Sequence, residues 1–333
     1  SDFLKDERRS LAKVDQGKTR LVSGSPIVLT MLTRKYFSGF SAWVMSNHIR
    51  NGSAVGINVY SDSWDILARK LDSFGGNIIC GDFSNFDGSL RPEYLRYIGL
   101  KIDQWYDDGN SGIRQRLWQE VWNSKHVNGS VMYQWKQGLP SGHPLTSIIN
   151  SIYNMAAITF VYNTVMLDIP QPYLPEEHMW CIVYGDDNCI ALSSEVIEFF
   201  NPDLLVKSFL KIGLKYTPPS KETGFLHFGT IEESTFLKRS FRFDAQYNRY
   251  LAPLELSVIL ETPMWTRKGA LRDEITYSNV EDALHELSLH CRDIFEHWSG
   301  EILKASLDKL DYHPLVVGYH QLKQRVLARK DIW

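Results

Sequence analysis

The stretch WCIVYGDDNCIAL, residues 180–192, reads as two short apolar strands separated by a Gly-Asp-Asp turn. Apolar runs of this length bounded by turn residues suit buried strands, and the turn sets Asp186 and Asp187 at the tip of a β-hairpin. Gly-Asp and Asp-Asp are ordinary turn residues, so the hairpin alone identifies no chemistry. Its weight comes from a second strand. Residues 77–83, NIICGDF, form another apolar run that ends in an acid, Asp82. In one sheet the two runs bring Asp82 beside Asp186. Carboxylates at adjacent strand ends repel one another unless cations sit between them, and hard oxygen ligands suit Mg²⁺ completed by substrate phosphates.

Working outward, Leu95, Ile98, Ile102 and Trp105 follow the first strand at helical spacing, and Ile113, Leu117, Val121 and Trp122 mark a second helix. A longer helix begins after Pro144 and runs to about Leu167. Asn201 with Pro202 starts another, with Leu205, Phe209 and Ile212 on its apolar face, and Gly213 stops it before a strand at 214–217. The order β, α, β, β, α, β with an added helix pair predicts a split βαβ, ferredoxin-like sheet. After Thr235, FLKRSFRF alternates as one strand, and DAQYN supplies a turn before RYLAPL. From Pro253 the chain reads as a helical module. Ser278 and Glu281 form a capping-box pair ahead of one run through Ala283, Leu284, Leu287, Cys291, Ile294 and Trp298, and Pro314 opens a last helix with Val317, Leu322 and Val326.

Composition bounds the function classes. With 333 residues, 44% hydrophobic and 23% charged, the chain suits one large or two to three small folding units and excludes disordered and fibrous classes. The net charge of -3 leaves no uniformly basic coat, so a polyanion must meet local patches. Such patches alternate. Residues 1–50 hold nine Lys/Arg against four acids, whereas residues 72–110 hold seven acids against three bases. Cys80, Cys181, Cys189 and Cys291 show no CxxC spacing, which argues against a disulfide framework or zinc knuckle and for free thiols. The most apolar stretch is interrupted by Thr159, Asn163 and Thr164, so no membrane-spanning segment is expected. Opening at Ser1 and running directly into KDERR suggests a piece cut from a longer polypeptide.

Lys5, Arg9, Lys13, Lys18 and Arg20 are the natural partners for phosphates. A charged run is more often just a solvated face. Here the β-rich LVSGSPIVL follows, which predicts a hairpin arm presenting several cations on one side. The segment GLPSGHPLTSIIN, residues 138–150, is a Gly-Pro loop entering a helix, with Ser141, Thr146 and Asn150 on or just before its start, where anions and hydroxyls are favoured. His143 reads as a loop residue rather than a ligand.

Taken in order across residues 5–239, KDERRSLAKVDQGKTR, GDFSNFDGS, GLPSGHPLTSIINSIYN, YGDDN, the lysine of TPPSKET and FLKR resemble the RNA-dependent RNA polymerases of picornavirus-like positive-strand RNA viruses. The SGHPLT and YGDDN variants resemble the insect-infecting dicistrovirus or iflavirus type. The resemblance implies an α+β right-hand polymerase with a ferredoxin-like palm, partial fingers and a helical thumb. Its expected parts are partial fingers at 1–36, palm at 37–120 and 139–244, a fingers insertion at 121–138, and a thumb at 245–333. It implies template-directed addition of ribonucleoside triphosphates to an RNA 3′ end by a two-metal mechanism, with release of pyrophosphate, in viral genome replication.

Residue by residue, the resemblance implies Asp82 and Asp186 as main ligands of two Mg²⁺ ions, for which Mn²⁺ substitutes, with Asp187 as a secondary ligand. It implies Asp87, Ser141, Thr146 and Asn150 as the network for the ribose 2′-hydroxyl. Lys5, Arg9, Lys13, Lys18 and Arg20 would line the nucleotide entry channel, with Arg20 nearest the triphosphate. Lys221 falls where the family places a general acid for the leaving pyrophosphate, and Lys238 and Arg239 would grip the primer strand. The implied partners are RNA template and primer, a genome-linked protein primer and other viral replication proteins, at membrane-associated replication complexes in the host cytoplasm. Family members carry a long fingers segment before the KDE motif, whereas here only Ser1 to Leu4 precede it. The expectation is therefore that this chain alone elongates RNA poorly.

Two rivals share parts of the pattern. A reverse transcriptase also places one acid on a strand and two on a hairpin, but usually has a bulky side chain where Asp87 stands. An RNA-recognition domain shares the βαββαβ order but needs aromatics on its central strands, where this chain has strand-end Asp.

Overall fold

The computed structural model describes residues 1–7, 11–170, 172–218, 226–266, 271–314 and 318–328. The chain opens with β1 (Asp2–Leu4), α1 (Leu11–Asp15), β2 (Leu21–Ser23) and α2 (Ile27–Ser46). Next come α3 (Asp62–Asp72), β3 (Asn77–Ser84), α4 (Phe86–Ser89), α5 (Pro92–Trp105) and α6 (Ser111–Trp122). The hairpin β4 (Lys125–Asn128) and β5 (Val131–Gln134) precedes α7 (Thr146–Met166), α8 (Pro175–His178) and the hairpin β6 (Met179–Tyr184) and β7 (Asp187–Leu192). Then follow α9 (Pro202–Lys211), β8 (Lys215–Thr217), β9 (Thr235–Phe236), β10 (Arg239–Ser240), β11 (Arg242–Asp244) and β12 (Arg249–Leu251). The chain ends in α10 (Leu256–Glu261), α11 (Arg272–Leu287), α12 (Arg292–Leu310) and α13 (Tyr319–Leu327).

Two compact units emerge: Ser1–Gly56, Gly81–Ile190 and Glu195–His227 form the first, and Ile57–Cys80, Ala191–Ser194 and Phe228–Trp333 the second. The sheet order β6-β7-β3-β8 is the split βαβ arrangement expected from the element order, with β3 between the acidic hairpin and β8. β3 pairs antiparallel with β8, setting Asp82 opposite Thr217 and Phe83 opposite Tyr216.

Alternation along β3 turns Phe83 away from the face that Asp82 occupies. Its ring packs against Phe86, Phe209 and Tyr216 at centroid separations of 4.8, 5.0 and 4.9 Å, joining β3, α4, α9 and β8. Burying one such ring contributes roughly 1.5–3 kcal/mol, so this cluster fixes the end of the strand that carries Asp82. α7 owes its length to a run without Gly or Pro whose Ile149, Ile158, Val161 and Tyr162 are almost wholly buried. The segment SPIVL is not strand as its β-branched residues suggest. Pro26, with φ -55°, is the N-cap of α2, and Ile27 and Val28 sit exposed in its first turn. The expected boundary at 36/37 falls inside this helix.

In the second unit Trp64 of α3 is fully buried and stacks on Phe241 at 4.7 Å. A helical core of Ile259, Val280, Leu284, Leu287, Phe295 and Leu322 lies within α10 to α13. Four expectations are corrected here. FLKRSFRF is not one strand: Leu237 and Lys238 take φ +55° and +59°, a two-residue turn that folds β9 onto β10 with Phe236 opposite Arg239. Ser278 lies inside α11 rather than capping it. That helix starts at Arg272, with Asp273 and Glu274 in its first turn, where the helix dipole favours acids. Nor is the run from Ala283 to Trp298 continuous, because the chain leaves the helix after Leu287 to bury Leu289 with Leu251 and Val326 before α12 begins. The last helix begins at Tyr319, after Gly318 rather than at Pro314, and Val317 lies outside the described residues.

All four cysteines are free, as their spacing suggests. Among the described residues no helix is long and apolar enough to cross a membrane.

Candidate active site

The hairpin tip between β6 and β7 is a two-residue turn with Gly185 at φ +64°, the first central position that a type II′ turn reserves for glycine. α7 clamps this tip from behind. Ser151 Oγ accepts the Gly185 N–H at 2.9 Å and donates to Ser147 O at 2.7 Å. Asn154 Nδ2 donates to Gly185 O at 3.0 Å and Asp186 O at 3.2 Å. From β7, Asn188 Nδ2 reaches Asp186 O at 3.3 Å while its Oδ1 accepts the Tyr216 hydroxyl at 2.6 Å. These bonds hold the backbone of Gly185 and Asp186 in place.

Asp82 and Asp186 come together as the strand order requires. The Asp186 carboxyl is crowded by protein, repelled by Asp82 and then by Asp87, and hydrogen-bonded to Asp82, and its pKa is pushed up to about 6. The residue itself is exposed at the hairpin tip, so solvent tempers the effect of burial, and repulsion from Asp82 is the cause that survives exposure. Asp187, one residue on from Asp186, opens β7 and is half-buried. Among the described residues no three His, Cys, Asp or Glu are grouped closely enough to hold a metal by themselves. Two paired carboxylates nevertheless fit Mg²⁺, which is commonly bound through one or two protein carboxylates with substrate phosphates and water completing the shell.

Beside this pair lies the second half of the site. Asn85 enters the left-handed region at φ 54° and starts α4, which carries Asp87 toward α7. Asn150 Nδ2 donates to Asp87 Oδ1 at 2.6 Å. Burial raises the Asp87 pKa, opposed by this hydrogen bond and by the positive charge of Arg20. Asn150 Oδ1 is buried and accepts no hydrogen bond. Turning the amide over would set that oxygen against the Asp87 carboxylate, so the orphan acceptor is fixed by its neighbour. Gly138, at φ +86°, lets the preceding loop pass close by: a Cβ there would lie 2.9 Å from Asp87 O, which accepts the Leu139 N–H at 2.8 Å.

The other loop residues are structural in this state. Thr146 Oγ1 donates to His143 O at 2.7 Å, and Ser141 Oγ donates to Leu21 O at 3.3 Å. Burial depresses the His143 pKa to about 4, and its Nδ1 accepts the Leu145 N–H. On the β1/β2 arm, Arg20 grips Glu7 through Nε at 2.7 Å and through a second guanidinium nitrogen, and Lys5 Nζ stands 3.7 Å from the same carboxylate. The Arg20 pKa rises chiefly from Glu7, with further contributions from Asp186 and Asp87. Lys13 and Lys18 are exposed around α1 and the turn after it. Arg9 and Lys221 lie outside the described residues.

In the second unit, Lys238 is exposed at the tip of the β9/β10 turn, while Arg239 is buried, with its guanidinium on Glu286 at 2.8 and 2.9 Å and on Ala252 O at 2.7 Å. Sequence reasoning missed Glu7, Ser151, Asn154 and Asn188. The polar positions Ser147, Asn150, Ser151 and Asn154 recur at helical spacing within an otherwise apolar helix, and that stripe was the available signal.

The family model for viral RNA-dependent RNA polymerase matches residues 1–307. This chain belongs to the viral RNA-dependent RNA polymerase family. Among its relatives within that family are the replicase polyproteins of acute bee paralysis virus, 39% identical over 316 residues and 91% of this chain, and of Drosophila C virus, 36% identical over 337 residues and 96% of this chain. These agree with the insect-infecting type suggested by SGHPLT and YGDDN. The fold is that of a right-hand polymerase: the solved Sicinivirus 3Dpol RNA-dependent RNA polymerase superimposes with a TM-score of 0.84 at 25% identity, over 98% of this chain and 66% of that one. The chain spans 17% and 19% of the two polyproteins.

Proposed function

We propose that this chain carries the catalytic centre of a viral RNA-dependent RNA polymerase, adding ribonucleoside triphosphates to an RNA 3′ end in genome replication. The observation that carries the proposal is the Asp82–Asp186 pair: two carboxylates pressed together at adjacent strand ends, with the Asp186 pKa raised to about 6. A structural site would place a cation between them or an apolar pair in their stead. Asp82 and Asp186 would hold Mg²⁺, or Mn²⁺ in its place, with Asp187 an auxiliary ligand. Two such ions supply charge neutralisation at phosphorus and a more acidic 3′-hydroxyl.

The chain's own residues do the rest. Arg20 would exchange Glu7 for the incoming triphosphate, assisted by Lys5, Arg9, Lys13 and Lys18 along the entry path. Asn150 Oδ1 would accept the ribose 2′-hydroxyl proton while the Asp87 carboxylate accepts from the Asn150 amide, fixing the acceptor's direction. Ser141 and Thr146 shape the loop that backs this network. Lys221 would protonate the departing pyrophosphate. Lys238, at its exposed turn, would contact the primer backbone, and Arg239 would keep that turn in place through Glu286. Fingers would span 1–36 with the insertion at 121–138, palm 37–120 with 139–244, and thumb 245–333.

RNA template and primer, a genome-linked protein primer and other replication proteins are the proposed partners, at membrane-associated complexes in the host cytoplasm. The reverse-transcriptase alternative is disfavoured by the Asn150-linked Asp87, where a bulky side chain would exclude the 2′-hydroxyl. The test is single-turnover incorporation with Lys221→Leu and Asp186→Asn in the polymerase that carries this chain. Asp186→Asn should abolish incorporation, and Lys221→Leu should slow it by about 10²–10⁴ with nucleotide affinity little changed. Incorporation by Asp186→Asn within tenfold of wild type would reject the proposal.

A further inference from the structure

In the first unit, a cavity of about 170 Å³ lies among α5, α7 and α9, walled by Tyr94, Tyr97, Ile98, Tyr153, Ala157 and Phe160. Arg91 and Lys211 also line it, and none of its lining residues belongs to the carboxylate site or its ribose network. For scale, an apolar cavity of about 150 Å³ stays dry and takes up benzene. Ile98, Tyr153 and Ala157 are buried, whereas Tyr94 and Phe160 are each 49% exposed and Tyr97 58%, so the cavity opens to solvent between aromatic edges.

The polar groups here are few and one-sided. Tyr153 hydroxyl accepts the Arg91 backbone N–H at 3.4 Å and keeps its own proton to donate. Among the described residues neither the Arg91 nor the Lys211 side chain makes a hydrogen bond or ion pair, although charged side chains elsewhere in this unit, such as Arg114 and Arg20, are paired. Glu93, in the first turn of α5, also acts on Tyr153 through its charge, opposing Arg91. Apolar walls with convergent cationic and hydroxyl donors are the composition of a small-molecule site.

We propose that this cavity binds a small amphipathic anion: a flat aromatic or compact aliphatic body seated between Tyr94, Tyr153 and Phe160, with one acidic head, carboxylate or phosphate, on Arg91 and Lys211. The aromatic walls select the body and the two cations select the charge. A neutral ligand of the same shape gains the first contribution and loses the second.

The test titrates the full chain with 2-naphthoate, 2-naphthyl phosphate and the neutral 2-naphthylmethanol by calorimetry. At least one acid should bind about tenfold or more tightly than the alcohol, since hydrogen bonds to charged groups are the stronger class. The tighter of the two acids tells which head group the site prefers. In the double variant Arg91→Gln/Lys211→Gln the acid and alcohol should bind alike. Ala156 is an exposed lining residue, so Ala156→Trp fills the opening without entering the core, and it should remove binding of all three while a thermal melt stays at the wild-type midpoint. Equal binding of acids and alcohol by the wild-type chain, or undiminished binding by Ala156→Trp, would overturn the proposal.

Discussion

Two clusters of charge in the first unit are built on opposite rules. In one, Arg114 of α6 is 2% exposed yet fully engaged: Nε donates to Asp103 at 2.7 Å, two further nitrogens hold Asp108 at 2.7 and 2.9 Å, and the guanidinium lies 4.2 Å from the centre of the Tyr106 ring. Burial alone would raise the Asp103 pKa, but hydrogen bonds from Ser111, Arg114 and Gln115 outweigh it and hold the pKa below its ordinary value. In the other cluster, Asp82 and Asp186 oppose like charge to like, and the Asp186 pKa moves up. The nearby cation, Arg20, spends its fork on Glu7. The Arg114 cluster is closed by opposite charge, whereas the Asp82–Asp186 pair sets like charge against like.

The sharpest way to break that contrast is to neutralise each cluster and read both activity and stability. For Asp186→Asn in the complete polymerase, incorporation should fall by about 10³-fold or more, because several kcal/mol of transition-state charge stabilisation is lost, while the melting midpoint stays or rises. Arg114→Leu should do the reverse. Leaving Asp103 buried and unpaired costs about 3–5 kcal/mol, read as a lower denaturation midpoint. The sign with pH follows from Asp103: its depressed pKa means the pair's contribution is complete above about pH 4 and is lost as pH falls through the folded value, so wild type and Arg114→Leu should converge in acid.

Smaller effects sharpen the picture within the site. Asn150→Ala should lower ATP incorporation far more than dATP incorporation, shrinking the preference by about 10- to 150-fold, as expected for a charge-linked hydrogen bond of roughly 1.5–3 kcal/mol. An unchanged ratio in side-by-side incorporation assays would remove Asn150 from ribose selection. Smallest of all, Glu7→Gln should change stability by less than about 1 kcal/mol in chemical denaturation, since its partner Arg20 is 60% exposed at the side chain.

What was legible in the sequence was local. Strand runs leading to Asp82 and Asp186 and the 3.6-residue spacing in α5, α6 and α9 report short-range geometry, and they were enough for the sheet order and the meeting of the acids. What was hidden depends on distant neighbours. Ile27 and Val28 read as strand because β-branching favours it, yet Pro26 starts a helix that leaves both exposed. Nothing in Leu237 or Lys238 announces a positive φ, which the pairing of Phe236 with Arg239 imposes. Arg239 looked like a surface cation because its partner, Glu286, is 47 residues away.

The central claim is that Asp82 and Asp186 are held together in order to be bridged by a divalent cation arriving with a triphosphate. Water-proton relaxation during Mn²⁺ titration reports that event directly, with the full chain, with and without ATP, for wild type and for Asp82→Asn. The account predicts weak Mn²⁺ binding to the wild-type chain that tightens when ATP is present, and the loss of that tightening in Asp82→Asn. Identical Mn²⁺ titrations for wild type and Asp82→Asn in the presence of ATP would contradict it.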